Sequence, residues 1–77
     1  MAKKPYIKEI VLQKVGAKLK QMRIDAGYTS YENFALDNDL DRKQYWRAES
    51  GSNLTLSSII LILNKHKISL NTFFEDL

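Results

Sequence analysis

Cysteine is absent from this 77-residue chain, and histidine, tryptophan and proline each occur once. Without cysteine there is no disulfide framework and no thiolate ligand, and one histidine is too few for the Cys/His ligand set of a structural zinc site. We therefore expect no metal and no cofactor. The same absence suits a reducing compartment.

Long apolar runs are missing too. The longest, IILIL at residues 59–63, is far shorter than the roughly 20 residues that cross a bilayer as a helix. The N-terminus, MAKKPYIKEIV, is basic, but no apolar segment of signal-peptide length follows it. These absences predict a protein without membrane contact, in the cytoplasm of the producing cell.

Catalytic constellations are absent from the sequence as well. The chain offers no Ser-His-Asp or Cys-His set, no Gly-rich phosphate loop and no metal cluster. His66 stands alone near the C-terminal end of a predicted helix, where the helix dipole stabilises a positive charge. We expect this role for His66 rather than that of a pH switch or a metal ligand. We therefore expect a protein that is not an enzyme.

The positive charge is unevenly distributed along the chain. The net charge is +3, with seven basic and two acidic residues in residues 1–26, three and five in residues 27–51, and two of each in residues 52–77. A basic surplus suggests an anionic partner such as nucleic acid. The acidic middle third argues against a simple polycation and leaves a protein partner open.

Helical periodicity covers most of the chain, and strand alternation is absent. Leu12, Val15, Leu19 and Met22 recur at helical spacing and predict a first helix over residues 7–26, which Gly27 ends. Capping residues then start four shorter helices: the second after Thr29 or Ser30 and ending near Asn38, the third after Asp41 over about residues 42–50, the fourth after Thr55 and the fifth after Ser69. We expect residues 1–77 to form a single domain with a flexible tail at residues 1–6.

Each of the shorter helices has a predicted buried set. For the second helix the set is Tyr31, Phe34 and Ala35, for the fourth Leu56, Ile59, Ile60 and Leu63 with Ile62 left over, and for the fifth Leu70, Phe73 and Phe74. Apolar residues in excess of one small core are candidates for a self-association surface: Ile7, Ile10, Val11, Ile62, Leu70 and Leu77.

The third helix lies in the stretch LDRKQYWRAESG. With about 100° per residue and Tyr45 at zero, Ala48 falls on the same side, whereas Lys43 and Arg47 fall at about 160° and about 200°. Tyr45 and Ala48 are thus predicted to be buried, and Lys43 and Arg47 to project together into solvent or against a partner. Trp46 lies at the boundary, where it packs against the fourth helix or against a phosphate backbone.

Three segments follow one another along the chain: VGAKLKQMRIDAGYT, FALDNDLDRKQYWRAESG and LTLSSIILILNKHKISLNTFF. In this order they resemble the first helix, the helix-turn-helix with its closing Glu49-Ser50-Gly51, and the last two helices of the phage-repressor and Cro-type domains of bacterial regulators. The resemblance implies an all-α, compact five-helix, lambda-repressor-like fold in a bacterial or phage-encoded protein. Departures at Asn38 and Asp39 indicate a divergent subgroup.

The resemblance also implies sequence-specific binding of double-stranded DNA and a role in transcription regulation, with the third helix in the major groove. It puts four residues against base edges, where Arg and Lys donate to guanine and Gln pairs with adenine: Arg42, Lys43, Gln44 and Arg47. It puts five against phosphates: Ser30, Tyr31, Trp46, Ser52 and Asn53.

Other interpretations stay open. A charged outer helix face is more often simply solvated, and Glu49 is expected to be structural, bonding a neighbouring helix end. The same fold could serve as a protein-interaction module, in an antitoxin or an adaptor, which the acidic middle third favours. The outward Lys43 and Arg47 and the basic first helix favour DNA. Because one such domain presents only about 600–1,000 Å² to DNA, a homodimer is expected.

Overall fold

The regular secondary structure of the described residues is helical. The computed structural model describes residues 7–75 and 77, and the tail predicted at residues 1–6 lies outside them. The described part contains α1 Lys8–Asp25, α2 Tyr31–Asp37, α3 Arg42–Glu49, α4 Leu56–His66 and α5 Leu70–Glu75, and no strand. The all-α prediction is confirmed for these residues. None of these helices is both long and apolar enough to cross a membrane.

Four of the helices begin at hydroxyl or carboxylate residues that act as N-caps. Ser30 caps α2 by accepting from the backbone N–H groups of Glu32 and Asn33, so Ser30 and not Thr29 fills this role. The caps of the next helices accept in the same way: Asp41 from Gln44 N at 2.9 Å, Thr55 from Ser58 N at 3.1 Å and Ser69 from Thr72 N at 3.3 Å. Each such cap typically contributes about 1 kcal/mol.

The turns between helices rely on left-handed backbone conformations. Gly27 and Gly51 follow α1 and α3 with φ of 95° and 85°, which glycine adopts without a steric cost. Asp39, in the turn between α2 and α3, has φ of 58°, a conformation that Asp tolerates better than most residues. The N–H of Leu40 then donates to the carbonyl of Ala35 at 2.8 Å, which closes this turn tightly.

The core is built around the Phe34 ring. Its centroid lies 4.9 Å from the Tyr45 ring, 4.8 Å from the His66 ring and 5.2 Å from the Tyr28 ring. The buried apolar residues come from all five helices: Val15, Leu19, Phe34, Ala35, Tyr45, Ala48, Ile59, Ile62, Leu63 and Phe73. The Phe34 cluster joins α2, α3 and α4 and thereby fixes the orientation of α3.

The buried face of α4 differs from the predicted one. Ile59, Ile62 and Leu63 are buried, with Ile62 only 3% exposed, whereas Leu56 and Ile60 are 61% and 38% exposed. The reason is the phase of the helix, since Ile59, Ile62 and Leu63 at i, i+3 and i+4 share the side that meets the core. Ile62 therefore does not belong to a self-association surface.

The residues set aside for self-association and for the α5 core also need correction. Val11, Leu70 and Leu77 are half-buried and pack against the core, so among the proposed surface residues only Ile7 and Ile10 are exposed. Phe73 is fully buried, but Phe74 is exposed and packs edge-to-face on the Phe73 ring at a centroid distance of 5.1 Å.

Gly16 allows α1 and α3 to approach closely. It is buried, and a Cβ there would press into the backbone carbonyl of Glu49 and lie 2.8 Å from the carbonyl oxygen of Ala48. Backbone atoms cannot turn aside as a flexible side chain would. A side chain at this position would therefore push the two helices apart.

Gly16→Ala is expected to lower the free energy of unfolding by about 1–3 kcal/mol, as overpacking does. The direction of the change is informative, because at an exposed position inside a helix the same substitution would stabilise the protein by about 1 kcal/mol. Urea unfolding followed by circular dichroism measures the effect, and Lys14→Ala, on the exposed side of α1, is the matched control. A Gly16→Ala variant at least as stable as the control would rule out the close contact.

Candidate nucleic-acid interface

The outward face of α3 carries two cations. Tyr45 and Ala48 are buried, and Lys43 and Arg47, on the opposite side of the helix, are exposed. This confirms the orientation of the helix predicted from the sequence. Asp41 holds the first turn and Gly51 ends the helix, so the two cations project from a short element anchored at both ends.

Arg42 lies on the flank of α3 that faces α2. Its Nη1 is 3.4 Å from Oε2 of Glu32, and both side chains are more than half exposed. An exposed pair of this kind contributes about 0–1 kcal/mol. Arg42 is therefore held beside Glu32 by a weak interaction that an anionic partner can replace.

Gln44 lies on the other flank of α3. Its amide Nε2 donates to Oγ of Ser58 at 2.9 Å, and the Ser58 hydroxyl is in turn bonded to Thr55 Oγ1 at 2.9 Å. These contacts direct the Gln44 side chain to the start of α4. The structure thus brings Lys43 and Arg47 together on one face but does not bring Gln44 to them.

Trp46 is half-exposed on the flank of α3 that faces α1 and α2. It is 50% exposed and lines an open groove together with Lys20, Arg23, Tyr31, Glu49 and Ser50. Ser58, at the start of α4, lies on the opposite flank, where it is bonded to Gln44. Trp46 therefore does not pack against the fourth helix, which was one of the two roles expected for it.

The remaining predicted phosphate ligands flank α3 in the chain. Ser30 uses its hydroxyl oxygen as an acceptor for two backbone N–H groups, which leaves the hydroxyl hydrogen available to donate. Ser52 is half-buried and its N–H donates to the carbonyl of Arg47 at 3.1 Å, and Asn53 is exposed. Polar donors therefore lie both at the start of α2 and in the loop after α3.

Two of the three acidic residues around the α2–α3 turn have structural partners. Asp41 caps α3, and Asp37 accepts a hydrogen bond from the Tyr28 hydroxyl at 2.9 Å, which raises the pKa of that phenol. Asp39 is exposed at the tip of the turn. Among the described residues, none of these carboxylates forms an ion pair with Lys43 or Arg47.

A buried ion pair joins α1 to the end of α3. Arg23 is 4% exposed, and its Nε and Nη2 lie 2.7 Å and 3.1 Å from the two carboxylate oxygens of Glu49, while Nη1 donates to the Tyr28 carbonyl at 2.9 Å. The hydrogen bonds to Glu49 raise the pKa of Arg23. Glu49 is structural, but its partner is the Arg23 side chain and not a helix end.

The position of Arg23 carried a signal in the sequence. Val15, Leu19 and Arg23 follow one another at four-residue spacing, so the arginine continues the buried stripe of α1. On α3, Glu49 falls about 40° from Tyr45, next to the buried edge. Burying a charge is costly unless it is paired with an opposite charge. This argument could have predicted the Arg23–Glu49 pair from the sequence.

His66, in the last turn of α4, is half-buried against the core. Its ring stacks on Phe34 with an interplanar angle of 14°, and its Nε2 is buried without a hydrogen-bond partner among the described residues. Burial lowers the pKa of His66, so the neutral form is favoured. His66 lies in the last turn of α4 as expected, but the dipole role requires the charged form, which burial disfavours.

The lowered pKa of His66 predicts that stability falls in mild acid. Below the ordinary value of 6.5 the unfolded chain binds a proton more readily than the folded chain. The stability is fully present above this pH and is lost as the pH falls from it through the lower pKa of the folded state. His66→Phe keeps the stacking and removes the proton. Urea unfolding between about pH 7.5 and pH 5 should show the variant gaining on the wild type as the pH falls, whereas parallel curves would contradict this assignment.

Comparison with known proteins identifies no relative. No family model, no curated protein and no solved structure matches this chain. The function of the site is therefore inferred from its own residues. Lys43 and Arg47 are exposed on a helix fixed at both ends, and polar donors lie before α2 and after α3.

Proposed function

We propose that this protein is a sequence-specific regulator of transcription that binds double-stranded DNA. In this proposal α2 and α3 form a helix-turn-helix within a lambda-repressor-like fold of the phage-repressor and Cro type, and α3 enters the major groove. The observation that carries the proposal is the pair of exposed cations, Lys43 and Arg47, directly opposite the buried Tyr45 and Ala48. The protein would act in the cytoplasm of a bacterial cell, on the nucleoid, without catalytic activity.

Base recognition falls mainly to Lys43 and Arg47. Both side chains are donors only, and guanine presents two acceptors, O6 and N7, in the major groove. Arg42 can join them once DNA replaces Glu32, which costs little at an exposed pair. Gln44 reaches an adenine only by leaving Ser58, so its contribution is the smallest of the four.

Phosphate contacts set the register of α3 on the duplex. Ser30 and Tyr31 stand at the start of α2, and Ser52 and Asn53 follow α3. Hydroxyl and amide groups at such places donate to phosphate oxygens and carry no sequence information themselves. They would hold α3 at a fixed depth while Lys43 and Arg47 select the sequence.

The protein would bind DNA as a homodimer. One domain of this size presents about 600–1,000 Å², which limits affinity for a single half-site. Exposed apolar side chains suitable for self-association remain at Ile7, just before α1, at Ile10 on α1, and at Leu56 and Ile60 on α4. A symmetric dimer requires a palindromic operator with half-sites about one helical turn apart.

A protein-interaction module on the same fold is the second candidate. Leu36 on α2 is 78% exposed, and residues 27–51 carry five acidic against three basic residues. A partner protein with a basic, apolar surface would suit this side of the molecule. The two functions are compatible, since Leu36 and Lys43 belong to different helices.

Salt dependence separates the two functions. Titration of a mixed-sequence duplex between about 50 and 200 mM salt should show affinity falling with a logarithmic slope of about 0.9 for each phosphate contacted. If the protein does not bind the duplex at low salt, or if the slope is near zero, DNA binding is ruled out as its function. Capture of protein partners with the intact chain, compared with a Leu36→Lys variant, would then test the interaction module.

A further inference from the structure

An open groove with a volume of about 260 Å³ lies between α1, α2 and α3. Its sides are lined by Lys20 of α1, Tyr31 of α2 and Trp46 of α3. Tyr31 and Trp46 are among the expected phosphate contacts, whereas Lys20 is not. The groove thus sets one further cation, Lys20, beside two residues already expected to contact phosphates.

The groove carries one net positive charge. Arg23 and Glu49 form its floor, but they are paired with each other at 2.7 Å and 3.1 Å, and the third bond of Arg23 goes to the Tyr28 carbonyl. The charges of Arg23 and Glu49 therefore cancel, and the pair offers no net charge to a ligand. The ammonium group of Lys20, which is exposed, is left as the charge that the groove offers, and it favours an anion.

The other walls combine an apolar surface with a hydroxyl donor. Trp46 exposes half of its indole, which presents a flat apolar face, and Tyr31 is half-buried with a phenol at its tip. A deoxyribose-phosphate unit has the matching chemistry, because the sugar offers an apolar face and the phosphate accepts from an ammonium or a hydroxyl.

The groove also continues the outward face of α3. Trp46 and Lys43 differ by about 60° around the helix axis, so Trp46 borders both the cationic face and the groove. A duplex strand whose base edges meet Lys43 would place its backbone beside Trp46. We propose that this groove seats one phosphodiester unit of bound DNA and that Lys20 contacts its phosphate, which makes α1 a third DNA-binding element. This inference rests on the proposed function.

The test compares Lys20→Ala with Lys14→Ala, an equally charged change at an exposed position of α1 that does not line the groove. On one duplex, Lys20→Ala should reduce the logarithmic salt slope by about 0.9, and Lys14→Ala should leave it near the wild-type value. A set of duplexes that each carry one neutral methylphosphonate should contain one position that weakens the wild type but not Lys20→Ala.

The outcomes separate this inference from the proposed function. If wild type shows a steep salt slope and Lys20→Ala retains it, or if both lysine variants lose the same amount, the groove is not a phosphate site although the protein binds DNA. If the wild type itself shows no salt-dependent binding, the proposed function and the inference fall together. Circular dichroism of each variant establishes that its fold is intact.

Discussion

Glu49→Ala is expected to lower the free energy of unfolding by about 3–5 kcal/mol. The variant leaves the guanidinium of Arg23 buried, at 4% exposure, without the two carboxylate oxygens that now bind it. A buried charge without a partner is among the most costly defects in a domain. Because proteins have only about 5–15 kcal/mol of total stability, the urea concentration at the unfolding midpoint should fall to a fraction of the wild-type value.

Two further variants show that the loss comes from burial. Glu32→Ala removes the carboxylate from the exposed pair with Arg42 and should cost no more than about 1 kcal/mol. Arg23→Met combined with Glu49→Leu removes both charges and should recover much of the loss, as apolar replacements of buried pairs do. If Glu49→Ala and Glu32→Ala cost the same, the Arg23–Glu49 pair does not hold α1 to α3.

The Lys43→Ala/Arg47→Ala variant is expected to lose its preference for a specific site over random duplex by about 10²- to 10⁴-fold. Each good bidentate base contact is worth about 1–3 kcal/mol of discrimination, and the two side chains share one face of α3. Both are exposed and outside the core, so the unfolding midpoint should stay close to that of the wild type. Competition binding at fixed salt measures the preference directly.

Lys8→Ala/Lys14→Ala is the control for this variant. It removes the same charge from exposed positions of α1 that are not assigned to bases, so the preference between sequences should stay nearly constant. A loss of preference as large as that of the α3 variant would show that Lys43 and Arg47 act as general charges and do not contact bases.

Local chemistry made much of this fold predictable. Asp41, Thr55 and Ser69 satisfy backbone N–H groups within their own first turns, so the starts of α3, α4 and α5 depend on a few neighbouring residues. In α3, Tyr45 and Ala48 fall on one side of the helix and Lys43 and Arg47 on the other, so burial of the first pair turned Lys43 outward.

Where neighbouring residues leave several solutions, the tertiary structure decides. Residues 59–63 are all apolar, so every phase of α4 buries part of them. Packing into the core cluster selects Ile62 over Ile60. Gly16 carries no local sign that another helix passes within contact of it. The groove beside Lys20 likewise exists only because α1, α2 and α3 meet there.

The central claim is that the outward face of α3 selects a DNA sequence, and selection from a random duplex pool tests it most directly. Wild type and Lys43→Ala/Arg47→Ala are carried through the same rounds at the same salt concentration, and the bound sequences are compared. The account predicts that wild type enriches a motif with guanines that the variant no longer selects. Enrichment of the same motif by both proteins, or of none by a folded wild type, would contradict it.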